Sequence, residues 1–239
     1  KELKEKLNQQ KAVFAGWTSI GHPQITEMIA RSGVDFIGID LEHSTISQEQ
    51  AQRIIAACHA NAVVCLPRVA SHDPESIRRL LDSGADGILV PTVETPAEVD
   101  KLIEVMKYPP SGKRGYGVAR AQGYGNEFKA YTSNWNQESI LILQIESVRA
   151  VRNIEALLEF EEVDGVMIGP YDLSGSLGIP GQIDSELVEK ESQKVVESCK
   201  RHHKACGIHI VDPSNESIRS ALDNGYTFLA LSSDVFMLQ

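Results

Sequence analysis

Glu146 and Asp172 stand at the ends of two apolar runs, 140–146 and 163–172. The first opens Ile140-Leu-Ile-Leu, apolar at every position, as expected of a parallel strand covered on both faces. Placing Gln144 and Glu146 on one face at the end of that strand costs desolvation free energy unless oxygen ligands are needed there. Two carboxylates delivered by neighbouring strands repel each other without a cation. Mg²⁺ and Mn²⁺ accept such ligands, keep several waters and leave positions for a substrate. The pair therefore predicts a site for a hard divalent ion.

The elements that must position this pair alternate along the chain. Strand-like runs occupy 12–19, 35–41, 62–69, 87–93, 140–146, 165–169, 206–211 and 227–232. Amphipathic stretches lie between them. Asp73-Pro74, Thr95-Pro96 and Asp212-Pro213 put a capping side chain and a proline at helix starts. Gly33, Gly84 and Gly225 mark helix ends. Strands and helices in strict alternation imply a parallel sheet, and eight strands close into a (β/α)8 TIM barrel, here one domain over 1–239. A doubly wound open sheet competes, but no GxGxxG follows the first strand. Residues 233–239 are too few for a closing helix, so the last helix of the ring is expected to be missing from this chain. Segment 108–139 is longer than an ordinary connection and reads as a loop whose glycines and arginines suit an anionic ligand or a subunit contact.

Barrels of this kind build their sites at the C-terminal ends of strands. Those ends carry Asp40, Glu42 and His43 on the second strand and Arg68 on the third. Glu94 follows on the fourth, Gln144 and Glu146 on the fifth, and Pro170, Tyr171 and Asp172 on the sixth. Taken singly, Asp40 reads as a loop cap, Arg68 as a rim ion-pair partner and His43 as a half-buried imidazole. Together they predict one polar mouth. Trp17 reads equally as a pocket wall and as a core tryptophan, and His209 reads as a core histidine. No lysine falls at a strand end, which argues against a Schiff-base mechanism.

The composition narrows the partners. The chain has 239 residues, 42% of them hydrophobic, and a formal net charge of −10. That balance, with no Lys/Arg run, argues against nucleic acid and anionic membranes. No apolar stretch is long enough to span a bilayer. Residues 1–11 are charged rather than apolar, so no secretory signal is expected and a cytoplasmic location follows. The four cysteines lack CxxC spacing and read as reduced thiols.

Longer motifs now matter. They are Asp40-Leu-Glu-His43, Leu66-Pro-Arg68, Asp82-Ser-Gly-Ala-Asp-Gly87-Ile-Leu-Val-Pro91, Val93-Glu-Thr95, Tyr108-Pro-Pro-Ser-Gly-Lys-Arg-Gly115, Gln144-Ile-Glu146 and Gly169-Pro-Tyr-Asp-Leu-Ser174. In this order, and over nearly the whole chain, they resemble the HpcH/HpaI family of class II, metal-dependent pyruvate aldolases. The resemblance implies reversible cleavage of a 4-hydroxy-2-oxo acid into pyruvate and an aldehyde. Glu146 and Asp172 would hold a divalent cation (Mg²⁺, Mn²⁺ or Co²⁺), and Arg68 would stabilise the enolate oxygen. Gln144 would position a ligand or metal-bound water. His43, oriented by Asp40, would serve as acid and base for the aldol hydroxyl. Gly169, Pro170, Tyr171 and Asp172 would frame the pyruvate carboxylate, and Trp17 the aldehyde. The resemblance also implies a homo-oligomer, a hexamer built as a trimer of dimers in which the last helix is exchanged; the missing helix departs from that pattern. Oxaloacetate decarboxylation and malyl-CoA-type cleavage are alternatives on the same metal site. A metal-stabilised ligand-binding barrel is the non-enzymatic one. The aldehyde is chosen by pocket details worth only about 1–3 kcal/mol.

Overall fold

The computed structural model describes residues 2–239; Lys1, which the expected domain 1–239 includes, lies outside them. Eight parallel strands close a barrel in sequence order. They are β1 (Val13–Thr18), β2 (Phe36–Asp40), β3 (Val64–Arg68), β4 (Gly87–Val90), β5 (Ile140–Ile145), β6 (Gly165–Ile168), β7 (Ala205–Ile210) and β8 (Phe228–Leu231). Each strand lies within its apolar run except β7, which begins one residue earlier at Ala205, and β8 closes on β1 through pairs such as Phe14 with Leu229. The (β/α)8 barrel implied by the alternation is the fold found.

Two apolar layers hold it. Side chains pointing inward, including Trp17, Phe36, Leu66, Met167 and Phe228, fill the barrel. The helix Glu2–Asn8 plugs its N-terminal end with Leu3 and Leu7. Outward-facing residues pack beneath the helices in a second, larger cluster. Trp17 fits inside because residue 38 is glycine: a Cβ there would stand 2.3 Å from the indole ring.

Of the helix-start signals, Asp73 and Thr95 stand at N-cap positions, whereas after Asp212-Pro213 the cap is the next residue, Ser214, because its hydroxyl accepts from the Ser217 N–H. Asp73 accepts from the Ser76 N–H at 2.8 Å at the head of the helix Pro74–Asp82. Ser47 and Gln50 form a reciprocal capping box at the helix Gln48–Ala60. After β8 comes a single helical turn, Asp234–Met237. The buried Asp234 carboxylate ties this turn to the end of β1, accepting from Thr18 Oγ1 at 2.8 Å and the Ile20 N–H at 2.9 Å.

Segment 108–139 differs from the loop that its composition suggests. It contains a 3-10 turn, Arg120–Gly125, and a full helix, Phe128–Glu138. Trp135 anchors that helix, its indole N–H donating to the Met106 carbonyl at 2.7 Å. Arg114 is buried, with its guanidinium 4.6 Å from the Trp135 ring and 2.7 Å from Asp82. Its two Nη groups are engaged by Tyr131 and Asp82, while its buried Nε has no hydrogen-bond partner.

Candidate active site

The C-terminal mouth of the barrel opens into a cavity of about 710 Å³ whose walls include Trp17, Asp40, Arg68, Gln144 and His209. A smaller cavity of about 230 Å³ adjoins it, bounded by Glu42, Glu146 and Asp172. His43 and Asp172 line both. The residues singled out at the strand ends therefore lie around two adjoining cavities, with Glu42, Glu94 and Glu146 facing only the smaller one.

The register of β2 against β3 sets Asp40 beside Arg68. Arg68 binds Asp40 in a two-pronged pair, Nη2 to Oδ2 at 2.7 Å and Nε to Oδ1 at 3.1 Å. Burial alone would raise the Asp40 carboxyl, but the Arg68 bonds and charge, with the N–H groups of His43 and Glu42, hold it below the usual carboxylate range. The guanidinium lies over the Trp17 ring at 5.1 Å and reaches Gln144 Oε1 through Nη1 at 3.4 Å. Charge, stacking and geometry thus fix its plane.

Glu42, one of the strand-end carboxylates, carries no role in the sequence pattern, and the structure gives it a distinctive environment. Its Oε2 is buried and accepts no hydrogen bond, although Arg68 Nε lies 3.2 Å away. The Nε–H is committed to Asp40. Burial pushes the Glu42 carboxyl up, and the Glu146 charge adds to that against the pull of Arg68.

Glu146 has two donors. Gln144 Nε2 donates to its Oε2, and the Thr92 N–H donates to its Oε1 at 2.7 Å. Thr92 adopts the left-handed region, φ 56°, which a β-branched residue rarely occupies. Strain of this kind, on the order of 1–3 kcal/mol, persists where the surroundings impose it, and here it aims a backbone donor at a functional carboxylate. Burial raises the Glu146 carboxyl, and the neighbouring Asp172 charge raises it further. Gly169 leaves room: a Cβ there would lie 3.1 Å from Glu146 Oε2. Pro170 opens the short helix Pro170–Ser176, and Tyr171 and Asp172 are exposed on its first turn.

Two histidines are placed differently from the reading of the sequence. His43 is exposed, and Asp40 Oδ1 accepts from its backbone N–H at 3.1 Å rather than from its ring. The imidazole Nε2 instead stands 3.7 Å from Glu42 Oε2. Asp40 thus orients the His43 main chain, because its carboxylate is already engaged by Arg68. His209, which reads as a core residue, is half-buried and lines the larger cavity. Its ring sits 5.2 Å from Trp17, and its Nε2 is 2.7 Å from the Ser232 carbonyl. Nothing in the alternation of β7 marks which of its polar residues faces the ligand.

The donor set fits a hard divalent cation. It offers two carboxylates at the ends of β5 and β6, one of them with its pKa raised by burial, with the His43 imidazole on the wall of the same small cavity. Among the described residues no group of three or more His, Cys, Asp or Glu side chains is arranged to hold a metal. Two protein carboxylates with waters completing the sphere is the pattern that Mg²⁺ favours.

A closed parallel (β/α)8 barrel with an acidic mouth and a half-buried arginine at its strand ends has its polar residues where barrels of this kind carry their active sites. Residues 14–239 match the HpcH/HpaI aldolase/citrate lyase family, and the chain belongs to it. It is a carbon–carbon lyase. A hydroxypyruvate/pyruvate aldolase of Roseobacter denitrificans is 33% identical over 99% of this chain and 92% of the relative. A 5-keto-4-deoxy-D-glucarate aldolase of Citrobacter koseri is 32% identical over 98% and 90%. A solved structure of an HpcH/HpaI aldolase/citrate lyase family protein from Burkholderia cenocepacia superposes with TM-score 0.94 at 29% identity, covering 99% of this chain and 94% of that one. Among the described residues no helix is long and apolar enough to cross a membrane.

Proposed function

We propose that the chain is a class II aldolase that reversibly cleaves a 4-hydroxy-2-oxo acid into pyruvate and an aldehyde. The observation that carries this reading is Arg68, fixed by Asp40 and Trp17 at the edge of the same mouth that delivers Glu146 and Asp172. Glu146 and Asp172 would hold a divalent ion, Mg²⁺, Mn²⁺ or Co²⁺, which when bound supplies Lewis acidity for the keto group of a 2-oxo acid. Arg68 supplies N–H donors to the oxygen on which charge develops, and its fixed plane means no reorganisation at the moment of reaction. Gln144 bridges Arg68 and Glu146 and keeps the two in register. Tyr171 and Asp172 carry first-turn N–H groups beside Gly169 and Pro170, suited to a carboxylate. His43, exposed at the rim, takes and returns the proton of the aldol hydroxyl. Glu42, 3.7 Å from His43, stabilises the imidazolium that this creates. Trp17 walls the side where the aldehyde enters.

Support for pyruvate and an aldehyde as partners comes from the named activities of the relatives. The net charge of −10 accords with a cytoplasmic location, and the exposed apolar turn Phe236, Met237 and Leu238 accords with a homo-oligomer. The direct test is deuterium exchange into the methyl group of pyruvate, followed by NMR. Exchange is expected with Mg²⁺, lost with EDTA and restored by Mg²⁺; equal exchange in metal-free protein would defeat the proposal.

A further inference from the structure

The larger cavity has a charge pattern that bears on the second substrate. Arg68 is the only arginine or lysine lining either cavity among the described residues. It is held by Asp40 and flanked by Glu42. The rest of the lining includes the apolar residues Ile183, Val211, Val235 and Phe236 and one further carboxylate, Asp184. A carboxylate-bearing aldehyde placed there would meet apolar surface and an anion, with no cation to offset its desolvation.

One polar group faces that space without a role in the chemistry above. His209 Nε2 lies 2.7 Å from the Ser232 carbonyl, which can only accept, so Nε2 carries the proton. Ser232 makes this contact from the left-handed region, φ 57°, so the backbone is held in an uncommon conformation to present its carbonyl. Burial lowers the His209 pKa and the nearby Arg68 charge lowers it further, leaving a neutral ring. Its Nδ1 has no hydrogen-bond partner among the described residues and is not sealed from the cavity. It is a neutral acceptor with a fixed tautomer, beside the indole face of Trp17. An alcohol O–H satisfies such an acceptor; a carboxylate, lacking a proton, repels it.

We infer that the electrophile is an uncharged hydroxyaldehyde whose hydroxyl donates to His209 Nδ1. The inference rests on the aldolase reading and extends it to the class of the second substrate.

The test compares matched aldehydes in aldol addition to pyruvate with Mg²⁺. Glyceraldehyde and tartronate semialdehyde differ only in CH₂OH against carboxylate. Lactaldehyde and propanal differ only in the hydroxyl. Expected are kcat/KM ratios of about tenfold or more in favour of glyceraldehyde and of lactaldehyde. Asp184→Arg should narrow the first ratio about fivefold. His209→Phe should bring the second to about one, and His209→Gln, which keeps a donor and an acceptor, should retain part of it. A wild-type preference for tartronate semialdehyde, or an unchanged lactaldehyde preference in His209→Phe, overturns the inference. Methyl exchange in pyruvate reads the aldolase proposal separately. Even where exchange is absent, thermal shifts with two unreactive analogues still read the cavity. A larger shift from 2-oxohexanoate than from 2-oxoadipate supports the inference, and the reverse order overturns it.

Discussion

The two ends of the barrel both bury charge, and they resolve it in opposite ways. At the N-terminal end Asp164, 2% exposed, pairs with Lys4 at 2.8 Å and accepts the Leu141 N–H at 2.9 Å. Lys107 donates to the Asn136 carbonyl at 2.8 Å and to Ser139 Oγ at 2.7 Å. Asp164, Lys4 and Lys107 all find partners there. At the mouth Asp40, Glu42, Glu146 and Asp172 surround Arg68 alone, and Glu42 Oε2 is left without a donor. Desolvation without compensation is costly, so a closed network stabilises the fold while an open one persists where a ligand completes it. One end is finished by the chain itself; the other, on the proposed function, would be finished by a cation and a substrate.

Several substitutions can break or sharpen that contrast. Glu146→Gln should reduce aldol cleavage by roughly 10⁴-fold with Mg²⁺ present, while its melting temperature stays level or rises because a strained buried charge is gone. Steady-state kinetics with calorimetry on one sample checks both halves. Asp164→Ala should do the reverse, costing about 4 kcal/mol of stability by leaving Lys4 unpaired, with kcat unchanged below the transition. Urea unfolding measures it, and a large loss of kcat there would blur the distinction between the two ends. Arg68→Ala should cost about 3 kcal/mol of transition-state stabilisation, as for removal of one oxyanion donor, read from kcat/KM. It also frees Asp40, whose depressed carboxyl should return upward.

The smallest effect concerns Lys107. Its burial pulls the ammonium pKa from 10.5 down to about 8. Between those values the unfolded chain binds a proton that the folded chain does not, so stability rises with pH across that window. Comparison with Lys107→Met should show the wild type gaining about 2 kcal/mol more from pH 8 to pH 10. Parallel pH profiles for the two proteins would remove Lys107 from the buried network.

How much of this was legible beforehand depends on the range of the interaction. Glu146, Asp172 and Arg68 could be picked out because a charged residue ending an apolar run has no inexpensive structural explanation. Their convergence followed from the closed topology. Glu42 is visible as a strand-end carboxylate, but its isolation is not, since that depends on the Arg68 N–H pointing elsewhere. The pairing of Asp40 with His43 was anticipated ring to carboxylate, whereas the β2–β3 register gives that carboxylate to Arg68. The helix Phe128–Glu138 was read as loop, since Thr, Ser and Asn dominate its centre and Trp135 is its only buried side chain. Its anchor, the Met106 carbonyl, belongs to another helix.

Periodicity, caps and run-end carboxylates suffice for the barrel and for chemistry on a hard cation, because each signal acts between residues a few positions apart. Which imidazole meets the substrate, which nitrogen carries its proton and which carboxylate stays unpaired follow from contacts between strands distant in the chain. His209 meets Ser232, and Thr92 meets Glu146, only once the barrel has closed. No local pattern encodes those contacts, since hydrogen-bond geometry depends on tenths of an ångström that folding alone sets.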